Sequence, residues 1–327
     1  MYIVTGGAGF IGSALLWKLN GRGVGDILVV DNLGCSEKWK NLVGRDFSEY
    51  LRRDAFMELL EKDGLEKITG PGLSAVIHLG ACSSTTEKDA DFLMRNNLEY
   101  SKKLCLYALR KGARFINASS AATYGDGSCG FDDDPEGLCR LRPLNMYGYS
   151  KHLFDRWAWK EGLFARMTSL KFFNVYGPGE EHKGEMRSMA HKAFHQIKAT
   201  GSIRLFRSDS PDYEDGGQKR DFIYVKDCVE IIWELIQRPE LNGVFNVGTG
   251  EARSWNDLAK AVFKALNLPE KMEYIDMPAT LAGKYQNFTQ AGTGRLRAAG
   301  LMRGLHSLEE GVADYVVNYL SRGEPYL

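Results

Sequence analysis

The sequence predicts an α/β protein, a doubly wound parallel sheet with a smaller α/β unit interleaved with it. Three observations carry this. The β-rich run Tyr2-Ile3-Val4-Thr5 feeds directly into the glycine-rich turn Gly6-Gly7-Ala8-Gly9-Phe10-Ile11-Gly12, and a helical pattern follows over 13–19. Further apolar runs over 27–30, 75–79, 114–118 and 170–173 alternate with helical patterns, notably over 87–110 and 150–160. Strands that alternate with helices pair in parallel, because the right-handed crossover returns the chain to the same end of the sheet. No linker and no internal repeat divides the 327 residues. The expected division is therefore interleaved, with 1–173 and about 221–250 forming the sheet unit and about 174–220 and 251–327 the second.

The later elements are shorter. A helical pattern covers 186–199, and the acidic, breaker-rich stretch SDSPDYEDGG at 208–217 reads as an exposed loop. Strands are expected over 222–225 and 244–247, and helices over 227–237, 255–266 and 308–320. Thr85, Thr86 and Glu87 are expected to open the helix that follows them, since Thr and Glu suit a first turn.

Composition narrows the class. With 42 basic and 42 acidic residues the net charge is zero, which disfavours a nucleic-acid binder. No run approaches the roughly 18 apolar residues of a membrane span. The first strand begins at once and leaves no room for a signal peptide. Cys35, Cys82, Cys105, Cys129, Cys139 and Cys228 lack C-x-x-C spacing and no histidine cluster accompanies them, so no metal site is expected. Cys82 and Cys105 read as buried free thiols, and a reducing cytoplasm is the expected compartment.

The glycine turn lies between a strand and a helix. There the glycines let backbone approach a pyrophosphate, and the helix start supplies unpaired N–H groups. Gly6, Gly9 and Gly12 are the expected contacts. Asp31, at the end of the second strand, suits the ribose hydroxyls of NAD; Lys38 or Arg53 would instead meet the 2′-phosphate of NADP. Tyr147 and Lys151 are four apart and share a helix face. A nearby ammonium and a positive nicotinamide ring would both favour phenolate, making Tyr147 an acid/base group. Ser120, just after a strand, would hydrogen-bond the reacting oxygen.

Together these residues resemble the extended short-chain dehydrogenase/reductase family, whose core is a Rossmann sheet. The resemblance spans TGGAGFIGS at the start, HLGA at 78–81, SSAATYG at 119–125, YGYSK at 147–151, FFNVYGP at 172–178 and RDFIYVKD at 220–227. The family's dehydratases carry an Asp-Glu pair where Ala121 and Ala122 stand here, which leaves an epimerase or a simple reductase.

GACSSTTE at 80–87, His182-Lys183-Gly184 after FNVYGP, and KYQNFTQA at 284–291 resemble the ADP-L-glycero-D-manno-heptose 6-epimerases. That resemblance implies inversion at carbon 6 of an ADP-linked heptose for lipopolysaccharide inner-core synthesis. It also implies a homo-oligomer, including a pentamer, and tightly held NADP or possibly NAD. Tyr147 and Lys183 would be the two acid/base groups, with Lys151 and Ser120 beside them. The cofactor would also meet Phe10, Ile11, Asn32, Leu79, Gly80, Ala81, Cys82, Ser83, Asn96, Val175 and Lys183. Asn174, Phe206, Arg220 and Tyr285 would bind the ADP-sugar, and Lys192, Arg207 and Ser208 are further candidates that could equally be plain surface. Glu185 stands where some members place serine near the sugar, and the 208–217 loop is longer than in shorter members. A different nucleotide-sugar epimerase, such as a UDP-sugar 4-epimerase, and a catalytically silent NADP-binding regulator are the rival readings.

Overall fold

Successive side chains of a strand point to opposite faces, and in this chain both faces are apolar. In β1 (Tyr2–Thr5), β2 (Ile27–Asp31), β4 (Ala75–His78) and β5 (Arg114–Ser120), Ile3, Leu28, Val76 and Phe115 join one buried cluster; Val4, Val29, Ile77 and Ile116 join another. A sheet buried on both sides needs helices on both. The computed structural model, which describes residues 1–278 and 286–327, has them.

With β3 (Glu49–Arg52), β6 (Thr168–Phe172) and β10 (Gly243–Val247), these strands make a seven-stranded sheet of order β10-β6-β5-β4-β1-β2-β3. Every pairing in it is parallel. Helix α1 (Phe10–Gly21) covers one face. Helices α2 (Arg53–Glu61), α5 (Tyr100–Arg110) and α6 (Met146–Lys160) cover the other, and short α3 (Glu66–Thr69) and α4 (Ala90–Leu93) lie between α2 and α5 in the chain. The chain order reverses between β1 and β4, and their carboxyl ends open a crevice there.

Two smaller sheets complete the fold. One has the order β11-β9-β7, from Ala252–Ser254, Lys219–Tyr224 and Asn174–Tyr176; the other pairs β12 (Met272–Ile275) with β8 (Ile203–Phe206). Helices α7 (Met189–Thr200), α9 (Trp255–Leu266) and α11 (Leu308–Tyr315) pack around them, while α8 (Val225–Gln237) lies against α1 and α10 (Gly294–Ala298) against β10. One apolar cluster runs without a break from Val4 and Leu170 to Ile203, Phe222, Val262 and Tyr315. The Asp221 carboxylate fastens the second unit: it accepts from Thr249 N and Oγ1 (2.7 and 2.8 Å), Gly250 N (2.8 Å) and Ala291 N (3.0 Å).

Two expectations change. Thr85, Thr86 and Glu87 do not open the next helix, which begins at Ala90. Asp89 is its cap, its carboxylate accepting from Phe92 N at 2.8 Å, while the Glu87 carboxylate binds the Lys88 and Asp89 amides just before it. Cys82 is half-buried rather than buried; Cys105 is buried, and all six thiols are free. No helix among the described residues is long and apolar enough to cross a membrane.

Candidate active site

The glycine turn is closed tightly against itself. A Cβ on Gly12 would stand 2.0 Å from the Gly6 carbonyl oxygen, so only glycine lets α1 start this close to the end of β1. Helix α1 has no side-chain cap and no acid in its first turn. Its leading N–H groups and the positive end of its dipole therefore face outward, a setting that fits the pyrophosphate of a dinucleotide. Beside it the buried Asp31 carboxylate accepts from Ala8 N (2.9 Å), Asn32 N (2.7 Å) and Lys38 Nζ (2.5 Å). The two side chains that argued for different cofactors are thus an ion pair.

Across the crevice, α6 carries Tyr147 and Lys151. Asn145 caps this helix, its Oδ1 accepting from Gly148 N at 2.8 Å. A Cβ on Gly148 would lie 2.6 Å from the Ala122 carbonyl oxygen, so glycine here lets the helix start press against the turn after β5. That contact sets Tyr147 beside Ser120 at the end of β5. Lys151 is buried and its Nζ donates to the Ala118 carbonyl at 2.7 Å. Burial pulls its pKa down to about 8, against the raising influence of Asp155 and then Cys82. Asp155, one helical turn on, accepts from Ser119 (2.6 Å) and Ser169 (2.7 Å) hydroxyls. Burial holds its carboxyl above the usual range, with nearby Lys171 the largest opposing influence.

Tyr147 departs from expectation. Burial raises its phenol above the ordinary value and outweighs the Ser120 hydrogen bond that lowers it. The protein alone does not make phenolate easier to form.

The third wall is the turn Glu181–Met186. It is held by Glu180, a fully buried carboxylate that accepts from the Ser188 hydroxyl (2.6 Å) and the Tyr315 hydroxyl (3.1 Å). Lys183 Nζ lies 4.9 Å from the centre of the Phe10 ring, over the glycine turn. Burial lowers its pKa, Glu180 opposes this, and Lys192 adds to it.

These walls enclose one cleft of about 630 Å³. It gathers Gly6, Gly9, Phe10, Ile11, Gly12, Asp31, Lys38, Leu79, Gly80, Ala81, Ser83, Ser120, Tyr147, Lys151, Asn174, Val175, Lys183 and Lys192 from the residues singled out in the sequence. Others stand back from it. Arg53 bonds Asn96 and Asp54, and its backbone N–H donates to Asn32 Oδ1 at 3.2 Å; Cys82 N donates to Asn97 Oδ1 at 2.9 Å. Arg207 is exposed and paired with Asp276 at 3.1 Å, and Ser208 N donates to Asp215 at 3.0 Å. Phe206 ends β8 outside the lining, and Tyr285 lies outside the described residues. Arg220 is one layer behind, its guanidinium 5.5 Å from the ring centre of Trp255, which does line the cleft.

A model of the NAD dependent epimerase/dehydratase family matches residues 2–248. The chain belongs to that family. It is 61% identical over 327 residues, the full length of both chains, to an ADP-L-glycero-D-manno-heptose-6-epimerase of Nitratidesulfovibrio vulgaris. The crystal structure of Helicobacter pylori ADP-L-glycero-D-manno-heptose-6-epimerase is similar with a TM-score of 0.81 at 28% identity, over 97% of this chain and 95% of that one. Thermotoga maritima UDP-glucose 4-epimerase with UDP-glucose gives 0.80 at 26%, over 98% and 99%.

The cleft brings the Tyr147 phenol and the Lys183 amine together with the glycine turn. The Ala121–Tyr124 turn carries no carboxylate that could drive an elimination. Sequence reasoning missed Asp155, although Lys151 and Asp155 are i,i+4 on one helix and that spacing was readable. It also missed Arg187, Met189 and Trp255 as lining residues. Thr85, read as a helix opener, lines the cleft instead.

Proposed function

We propose that this enzyme inverts carbon 6 of the heptose in ADP-D-glycero-β-D-manno-heptose, giving the ADP-L-glycero-β-D-manno epimer, a precursor of the lipopolysaccharide inner core. The observation that carries the reading is the meeting of Tyr147 and Lys183, from α6 and from the turn before α7, in one cleft with the glycine turn. Full-length similarity to relatives bearing that activity supports the choice of sugar.

A secondary alcohol cannot be inverted without breaking its C–H bond. A nicotinamide dinucleotide held at the glycine turn would supply a reversible hydride acceptor. The hydroxyl proton would go to a base, the carbon would pass through a ketone, and hydride would return to the opposite face after the side arm rotates. Tyr147 takes or gives the proton in one orientation, with Ser120 hydrogen-bonded to the same oxygen and Lys151 holding the nicotinamide ribose. Lys183 serves the other orientation, and its lowered pKa brings the neutral amine closer to neutral pH. Burial raises the Tyr147 phenol, and the positive charge of an oxidised nicotinamide ring held beside it would favour phenolate.

Asn174 and Lys192, which line the cleft, are the proposed contacts to sugar and diphosphate, with Arg220 acting from behind Trp255. NADP is the proposed cofactor. Lys38 cancels the Asp31 charge, and both Asp31 oxygens are turned to other donors, so a 2′-phosphate meets little repulsion. We place the enzyme in the cytoplasm as a homo-oligomer.

The test uses purified enzyme with ADP-D-glycero-D-manno-heptose and with UDP-glucose. Epimerisation of the heptose is expected, and Tyr147→Phe and Lys183→Met should each keep dinucleotide binding while slowing turnover by roughly 10²- to 10⁴-fold. Turnover of UDP-glucose with no change in the ADP-heptose would move the assignment to a 4-epimerase. Wild-type rates in both variants would refute the catalytic roles.

A further inference from the structure

Beside the cleft, three side chains that the proposed chemistry leaves unused converge. His191 and His195 are four apart on α7, so their rings project from one face of the helix. Glu181 reaches toward them from the turn that precedes α7. One ligand-capable atom from each of the three lies within 4.8 Å of the others. Glu181 Oε1 is 2.6 Å from His191 Nε2, and the two imidazole rings stand 4.4 Å apart between centroids. We propose that Glu181, His191 and His195 form a binding site for a divalent transition metal of the Zn²⁺ type. This departs from the metal-free reading of the sequence.

The donor set favours that class. Two imidazole nitrogens and one carboxylate oxygen are borderline ligands suited to Zn²⁺, and a fourth tetrahedral position would stay open to water. Donors held about 2.0–2.1 Å from one Zn²⁺ lie about 3.3 Å from each other, so the trio needs displacements of about 1 Å. His195 is exposed and can swing inward, and the 2.6 Å contact between Glu181 Oε1 and buried His191 Nε2 would open as the ion takes its place.

Arg187 faces the same cluster. Its Nε donates to the Glu181 carbonyl at 2.9 Å, and a guanidinium nitrogen lies 4.0 Å from Glu181 Oε2. It therefore braces the backbone of the turn from which Glu181 reaches the imidazoles. A bound ion would clasp the Glu181–Met186 turn, and Lys183 with it, to α7.

The test takes the full-length, tag-free chain, stripped with a chelator, and titrates it with ZnCl₂ by calorimetry and with CoCl₂ by visible absorption. One Zn²⁺ per chain is expected. His195→Ala should weaken binding by roughly tenfold or more. Zn²⁺ should raise the Tm of the wild type and not of the variant. Cobalt bound here should absorb in the visible without a thiolate charge-transfer band, which separates this site from the six cysteines. Glu181→Gln serves as a second variant with the same expected loss. Absence of saturable binding, a thiolate band, or affinity unchanged in both variants would overturn the proposal.

Discussion

Replacing Lys171 with methionine should change how stability depends on pH, by an amount the structure sets. Lys171 sits in β6 with 0% of its side chain exposed. Among the described residues its Nζ has no hydrogen-bond partner, and it lies 4.1 Å from the centre of the Tyr124 ring. Burial lowers its pKa from 10.5 to about 8, although Asp155 and Asp133 pull the other way. Between those two values the unfolded chain holds a proton that the folded chain has released. Stability therefore rises with pH through that window, by up to about 1.4 kcal/mol per pH unit and about 3 kcal/mol in all. Below about pH 8 both states are protonated, and this group adds no slope.

The methionine variant lacks that rise. It also carries a constant offset, because Asp155 and Asp133 lose a neighbour, but the offset does not alter the trend. Lys151, lowered to about 8 as well, is present in both proteins and cancels. Urea denaturation of both proteins at several pH values between about 7.5 and 10.5 reads the difference. The wild type should gain about 3 kcal/mol on the variant across the series. Two parallel curves would show that Lys171 is not a destabilised buried ammonium.

Other perturbations follow from the same geometry. Gly12→Ala forces α1 away from the Gly6 carbonyl; it should cost about 1–3 kcal/mol of stability and more than about tenfold in dinucleotide affinity, measured by denaturation and fluorescence titration. Lys38→Ser should weaken NADP more than NAD, and a larger loss for NAD would reverse the cofactor assignment. Asp221→Ala strands three backbone amides and should destabilise the fold by about 3 kcal/mol or more, seen as a lower Tm, with wild-type stability counting against the clasp described for it.

Much of the central sheet was readable because strands buried on both faces are continuous apolar runs. The exception is β3, whose Glu49-Tyr50-Leu51-Arg52 carries charge at both ends, as suits an edge strand. Residues 87–110 carry one helical pattern, yet the structure inserts the wider turn Met94–Glu99 between α4 and α5, where Asn97 reaches back to both Cys82 and Ser150. Periodicity says nothing of such a side-chain bridge. The half of the cleft built on the glycine turn was legible because its lining residues cluster in short motifs. Arg207 and Ser208 were harder, because the acids that engage them, Asp276 and Asp215, owe their nearness to the β8–β12 pairing and to the loop closing on itself. The Lys38 pair with Asp31 was equally hidden, since two opposed specificity arguments gave no sign that the residues touch.

The sheet order also has a consequence for how the protein is made. Six of the seven central strands are complete once Phe172 has been added, and only β10 joins later, at the edge beside β6. The glycine turn, Ser120, Tyr147 and Lys151 are by then in the chain, and Lys183 and Lys192 follow within one turn and helix. Trp255 and Leu258, which close the far wall, come from α9. A chain emerging from a ribosome thus carries the glycine-turn wall of the cleft well before the wall built by α9. A ligand held early at the glycine turn would then act as a template on which the remaining wall folds.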